Sequence, residues 1–257
     1  MQLRALLFDV DGTLADTEEA HRTAFNDAFR VFGLEWTWDR SLYGRLLRVA
    51  GGRERILHYA QTADPDRFHN PNFSERAREI HECKTRRYGE ILASGAVTLL
   101  PGVERLIREA RDEGLRLAIA TTTTPDNVRA LLEPNLGTQA MDWFDVIGAG
   151  DCVPAKKPAP DIYHWVMDRL SLSPSECLAL EDSRNGLRAA LAASLATLVT
   201  PSTYSKDDDF TGAAAILSDL GEPDRPFTMH AGGPEGWTCV TPDFLRALHR
   251  SALKETA

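Results

Sequence analysis

Short apolar runs alternate with longer segments of helical period along most of this chain. Residues 5–8, 115–120, 145–149 and 177–180 read as buried strands, with 195–199 and 213–217 as further strand candidates. Between them, apolar positions at helical spacing predict helices over 103–113, from Pro125 onward, over 158–170 and over 184–194. Strands separated by helices imply an α/β fold, a parallel sheet with helices on both faces.

The alternation breaks after the first strand. Residues 16–94 hold no strand-like run. Phe25, Ala28, Phe29 and Phe32 fall at i, i+3, i+4 and i+7 before Gly33, and Asp16 with Glu19 makes a capping-box pattern. Further helices are predicted over 39–47, 52–63 and 74–93, with 63–73 as a polar loop. The pattern predicts an α-helical domain over 16–94, inserted into a core made of 1–15 and 95–257. Residues 221–236 read as a long loop, and Thr241-Pro242 caps a helix over 243–254. This C-terminal extension, about 221–257, is expected to pack against the core.

Composition narrows the function classes. The chain has 257 residues, 43% hydrophobic and 26% charged, enough for one large core plus a smaller domain. A formal net charge of −9 argues against nucleic acid or an anionic membrane as partner. Cys83, Cys152, Cys177 and Cys239 form no C-x-x-C pair, so neither a zinc ribbon nor a redox dithiol is expected. With no signal-peptide pattern and no apolar stretch of membrane length, the reducing cytoplasm is expected, or the plastid stroma of a plastid-bearing organism. A monomer is expected, although the sequence carries no signal for the oligomeric state.

The chemistry begins at Leu6-Leu7-Phe8-Asp9-Val10-Asp11-Gly12-Thr13-Leu14. With period two, Asp9 and Asp11 point to one side where the strand ends, and Gly12 lets the chain turn sharply. Two converging carboxylates call for a cation, and an oxygen-only ligand set favours Mg²⁺. A calcium loop of the EF-hand type needs Glu at its twelfth position, where this chain has Ala20. Ligands of open parallel sheets bind outside the carboxyl ends of the strands. There the chain places Thr121, Lys157 in the loop before Pro158, and the pair Glu181/Asp182. Nucleophile, phosphate-oxygen donor, charge clamp and metal site are what phosphoryl transfer requires. Lys156 has the same charge as Lys157 and reads as a surface lysine.

Taken in order, Asp9-Val10-Asp11-Gly12-Thr13, Thr121, Lys157-Pro158-Ala159-Pro160-Asp161 and Glu181-Asp182-Ser183 resemble the four motifs of the haloacid-dehalogenase superfamily. The resemblance implies a Rossmann-like core with a type-I helical cap at 16–94. It also implies that Asp9 attacks phosphorus and becomes an aspartyl phosphate, while Asp11 acts as general acid and base. Mg²⁺ is then held by Asp9, the backbone carbonyl of Asp11 and Asp182, with Glu181 direct or through water. Thr121 and Lys157 hold the phosphoryl oxygens. The second aspartate distinguishes phosphotransferases from true dehalogenases.

Trp38-Asp39-Arg40, Tyr43 and Gly51-Gly52-Arg53-Glu54-Arg55-Ile56 are similar to the CbbY-type phosphatases of carbon-fixing organisms. That group is associated with dephosphorylating xylulose-1,5-bisphosphate, an inhibitor of rubisco. The resemblance implies that Glu18, His21, Tyr43, Arg53, Lys84 and Thr122 join Thr121 and Lys157 in binding a phosphorylated sugar. Arg53 and Lys84 are the basic residues for a distal phosphate. This chain reads Gly-Gly-Arg where the group commonly has Gly-Gly-Lys. The alternatives are a β-phosphoglucomutase-type mutase, which shares the four motifs and a histidine at the place of His21, and a catalytically silent sugar-phosphate sensor.

Overall fold

A computed structural model describes residues 2–49 and 51–255. Seven strands form one sheet: β1 (Ala5–Phe8), β2 (Arg116–Ala120), β3 (Val146–Gly148), β4 (Cys177–Glu181), β5 (Ala196–Val199), β6 (Ala215–Leu217) and β7 (Met229–Gly232). Their order is β3-β2-β1-β4-β5-β6-β7, parallel except for β7, which pairs antiparallel with β6. Leu7 stands opposite Ala118 on one side and Ala179 on the other. From β1 the order runs one way to β2 and β3 and the other way to β4. The reversal therefore lies between β1 and β4, where open α/β sheets bind ligands.

Residues up to Asp16 and from Thr98 on form one compact unit, and Thr17–Val97 forms a second, all-helical one. The second junction lies beyond the predicted residue 94. Its reason is that the chain rejoins the sheet unit at Leu99, which bridges Ala15, and at Leu100, whose N–H donates to the Leu14 carbonyl at 2.8 Å.

In the helical unit run α1 (Glu18–Val31), α2 (Arg40–Leu46), α3 (Gly52–Ala63), α4 (Pro65–Phe68) and α5 (Phe73–Ala93). Phe25, Ala28 and Phe29 are buried as their spacing predicts. They meet an aromatic core in which Trp38 lies 4.7 Å from Phe25 and 4.8 Å from Phe29, ring centre to ring centre. Asn26 fixes the Trp38 backbone from both sides, donating to its carbonyl at 2.9 Å and accepting from its N–H at 2.8 Å. Two expectations are corrected here. The Asp16–Glu19 capping box does not form: Asp16 accepts from the Thr203 hydroxyl at 2.9 Å, and Glu19 pairs with Arg22 and Arg40. The predicted loop over 63–73 contains α4, because Asp64 accepts from the Arg67 N–H and Pro65 starts the turn.

The sheet unit adds α6 (Val103–Asp112), α7 (Pro125–Leu136), α8 (Asp161–Leu170), α9 (Arg184–Ala192) and α10 (Pro242–Glu255). Ala5 and Leu7 belong to one buried cluster with Ile162, Tyr163 and Val166 of α8 and Ala189 and Ala190 of α9. Leu6 and Phe8, on the other face, are equally buried; α6 packs on β2, and α10 on α6 and β5. A strand covered on both faces is an unbroken apolar run, which is why β1 shows no polar alternation. Helix α8 begins at Asp161 and not at Pro158. The segment before it is a turn, closed by the Ala159 N–H on the Lys156 carbonyl at 3.0 Å.

The C-terminal extension is not only loop and helix. Residues 229–232 pair with the free edge of β6, so the expected long loop contains a strand. Arg105 of α6 ties this extension down, donating to Glu222 at 2.9 Å and to the carbonyls of Gly221 and Val240 at 2.8 and 3.0 Å.

Among the cysteines, Cys83 and Cys177 are buried and Cys152 and Cys239 half-buried. Burial pushes the Cys177 thiol up to about 12, with the Glu176 charge adding to it. Alkylation of the native protein at pH 8 is therefore expected to modify Cys152 and Cys239 and to spare Cys83 and Cys177, as read by peptide mass spectrometry. Equal labelling of Cys177 and Cys239 would contradict the packing of β4.

Candidate active site

The reversal between β1 and β4 brings the acidic groups together. Asp9 follows β1 directly, is 7% exposed, and donates its N–H to the Leu180 carbonyl at 3.0 Å, so the sheet still holds its backbone. Glu181 ends β4 at 1% exposure, and Asp182 follows at 6%. One carboxylate oxygen from each of Asp9, Glu181 and Asp182 lies within 4.8 Å of the others. The partners of Asp9 therefore come from β4. Asp11 is half-buried in the turn beyond the strand, where it bridges Ala15, and its charge adds to those that push the Asp9 carboxyl up.

Two glycines make this approach possible. Gly12 has φ +89°, and a Cβ there would lie 2.1 Å from Asp182 Oδ2. A Cβ on Gly186 would lie 1.7 Å from Glu181 Oε2. Either side chain would push a carboxylate out of the cluster.

Lys157 supplies the positive charge. Its ammonium, 8% exposed as a residue, donates to Asp9 Oδ1 at 2.7 Å and to Glu181 Oε1 at 2.6 Å. Burial works to lower its pKa, but Asp9 and Glu181 overcome that and hold it above its usual value. Lys156 pairs instead with Asp151 at 3.0 Å and is 43% exposed. Burial pushes the Asp9 carboxyl up to about 7 against the pull of Lys157, and the Glu181 charge pushes it further the same way. Tyr163 of α8 also donates to Glu181 Oε1, and burial followed by the Glu181 charge holds its phenol well above 10.

Thr121 sits at the end of β2, 1% exposed, with its N–H on the Gly148 carbonyl at 2.9 Å. Its hydroxyl oxygen accepts from the Thr123 N–H at 3.3 Å, which leaves the O–H as a donor. Thr122 is exposed. Thr124 caps α7, accepting from the Asn127 N–H, and Thr123 accepts from the Asn127 amide at 3.2 Å.

Three carboxylates around one ammonium leave net negative charge in a buried place. Glu181 Oε2 is buried without a hydrogen-bond partner among the described residues. A hard divalent cation answers both features, and the donor set is oxygen throughout. Asp9, Glu181 and Asp182 thus fit a metal ion.

Within the helical unit, the other residues singled out by sequence fall into three sets. Tyr43, fully buried, donates its hydroxyl to Glu18 Oε2 at 2.7 Å and accepts from Arg55 Nη1 at 3.3 Å. Lys84, 6% exposed, meets His21 Nδ1 and lies over the rings of Phe25 and Tyr88, and His21 stacks on Tyr88 at 3.7 Å. Arg53 donates to Ser74 Oγ at 2.9 Å, and its buried Nε has no partner among the described residues.

Two residues escaped the sequence reading. Tyr163 reads as one more apolar position on the buried face of α8; its hydroxyl was the available signal, since a buried phenol needs a partner. Arg55 lies one residue past the Arg53-Glu54 pair, with no local feature to set it apart.

Residues 3–194 match the haloacid dehalogenase-like hydrolase family. The plasmid-encoded CbbY protein of Cupriavidus necator is 49% identical over 254 residues, which is 98% of this chain and 99% of that protein. A crystal structure of CbbY from Rhodobacter sphaeroides in complex with phosphate superposes with a TM-score of 0.78 at 46% identity, over 84% of this chain and 94% of that one. A mutant of the same protein, crystallised with xylulose-(1,5)bisphosphate, matches with a TM-score of 0.78 at 45% identity, over the same shares. With Asp9, Lys157 and the pair Glu181/Asp182 converging between β1 and β4, the chain belongs to the haloacid dehalogenase-like hydrolases, in their CbbY-like group of phosphatases.

Proposed function

We propose that this chain is a Mg²⁺-dependent sugar-bisphosphate phosphatase that converts xylulose-1,5-bisphosphate to xylulose 5-phosphate. The observation that carries the reading is the buried Asp9–Lys157–Glu181 bridge beside Asp182. The choice of substrate rests on the similarity to CbbY, whose mutant was crystallised with that bisphosphate.

Asp9 attacks phosphorus, so that a bond forms from its carboxylate oxygen as the bond to the sugar oxygen breaks. Asp11 gives its proton to the departing sugar oxygen. It then takes a proton from water, whose oxygen attacks the aspartyl phosphate and frees Asp9 and inorganic phosphate. Thr121 donates its O–H to a phosphoryl oxygen, and Lys157 sets its ammonium against the transferring group. Asp9, the Asp11 carbonyl and Asp182, with Glu181 direct or through water, would hold Mg²⁺. When bound, the ion neutralises phosphoryl charge and shields the nucleophile from it. Glu18, His21, Tyr43, Arg53, Lys84 and Thr122 bind the sugar phosphate, with Arg53 and Lys84 on the distal phosphate.

The contact of His21 with Lys84 is more organised than a surface histidine requires, and it favours the mutase as the second reading. Phosphate release with Mg²⁺ separates the two. Xylulose-1,5-bisphosphate is expected to turn over faster than ribulose-1,5-bisphosphate, β-glucose 1-phosphate or phosphoglycolate. Asp9→Asn should lose roughly 10³-fold or more of that rate, as nucleophile removal does elsewhere. Slow release from every substrate, with interconversion of glucose phosphates, would replace the phosphatase by the mutase.

Arg53→Ala tests the distal site. It is expected to raise KM for the bisphosphate by roughly 10- to 100-fold, the scale of one charged hydrogen bond of about 1.5–3 kcal/mol. The kcat should change far less, and equal KM values for variant and parent would remove Arg53 from the site.

A further inference from the structure

Tyr163 is a buried polar group that the reaction scheme leaves without a task. It is fully buried, and its ring belongs to the layer of Ile162, Val166 and Met167 beneath β1, β2 and β4. A phenylalanine ring would fill that layer equally well. The hydroxyl, however, donates to Glu181 Oε1, the same oxygen that accepts from Lys157 at 2.6 Å. Glu181 Oε2 is left with no partner among the described residues, against Gly186, where a Cβ would lie 1.7 Å away. Two donors thus converge on one carboxylate oxygen, and the other keeps its lone pairs uncommitted.

Lys157 alone does not fix the carboxylate. Its ammonium also serves Asp9 Oδ1 at 2.7 Å, so it follows any movement of the nucleophile. The phenol hangs from the rigid face of α8 and gives Glu181 a second, independent point of attachment.

We propose that Tyr163 is a positioning residue for the divalent cation, holding Glu181 in the orientation that sets the affinity of the site. The inference rests on the reading of Asp9, Glu181 and Asp182 as the cation site, and extends it to a residue with no ligand atom of its own. Partners that orient metal ligands typically govern affinity by 10- to 100-fold.

The test is Tyr163→Phe, which removes one oxygen and leaves the packing. Calorimetric titration of the substrate-free full chain with Mg²⁺ is expected to show a dissociation constant raised about 10-fold. The kcat at saturating Mg²⁺ should stay within roughly threefold of the parent, as for a residue that acts through the ion. In the Glu181→Gln background the same change should have no further effect on the dissociation constant. A Tyr163→Phe protein that binds Mg²⁺ as tightly as the parent overturns the positioning role alone. A parent protein that binds no Mg²⁺ overturns that role and the cation reading together. A lower melting temperature with unchanged Mg²⁺ affinity assigns Tyr163 to packing and also overturns the proposal.

Discussion

One buried ammonium holds the carboxylates at the end of the sheet together. Lys157 touches carboxylates that arrive from β1 and from β4, and it does so from a loop that belongs to neither. Removing one partner of such a buried cluster leaves uncompensated charge, a loss of roughly 3–5 kcal/mol and a large part of a domain's stability. The neighbouring elements follow from this constraint. The turn over 156–160 delivers the lysine, Gly12 and Gly186 make room for the carboxylates, and α8 starts only after the turn is closed.

The same cluster is electrostatically incomplete. Burial, with the Glu181 charge behind it, raises the Asp9 carboxyl to about 7 against the pull of Lys157, a poor state for the attack as an anion that we propose for it. A divalent cation bound there would reverse the balance. The fold therefore tolerates an unfavourable charge arrangement at one place for the sake of chemistry, and the apolar layers on both faces of β1 supply the stability that offsets it.

Much of this was legible because the decisive residues sit at strand ends, where short apolar runs announce them. Asp9, Thr121 and the Glu181/Asp182 pair each follow such a run, and the sheet order brings Asp9 and the pair together. What remained hidden depends on distant partners. Asp16 looked like a helix cap, but its carboxylate is taken by Thr203, 187 positions away. Strand β7 hides in a glycine-rich stretch, because its pairing with β6, not its own composition, makes it a strand. Tyr163 looked like core because its ring is core; only the hydroxyl touches the site.

The insertion point of the helical unit bears on the order in which the molecule assembles. β1 leaves the ribosome before the two strands that flank it, at 116–120 and 177–181. The contiguous segment 17–97 emerges whole long before the second of those neighbours exists. During synthesis the apolar strand that precedes Asp9 must therefore wait for its partners while the contacts within the helical unit are already available. Asp9 is therefore made well before the strand whose carboxylates it must meet.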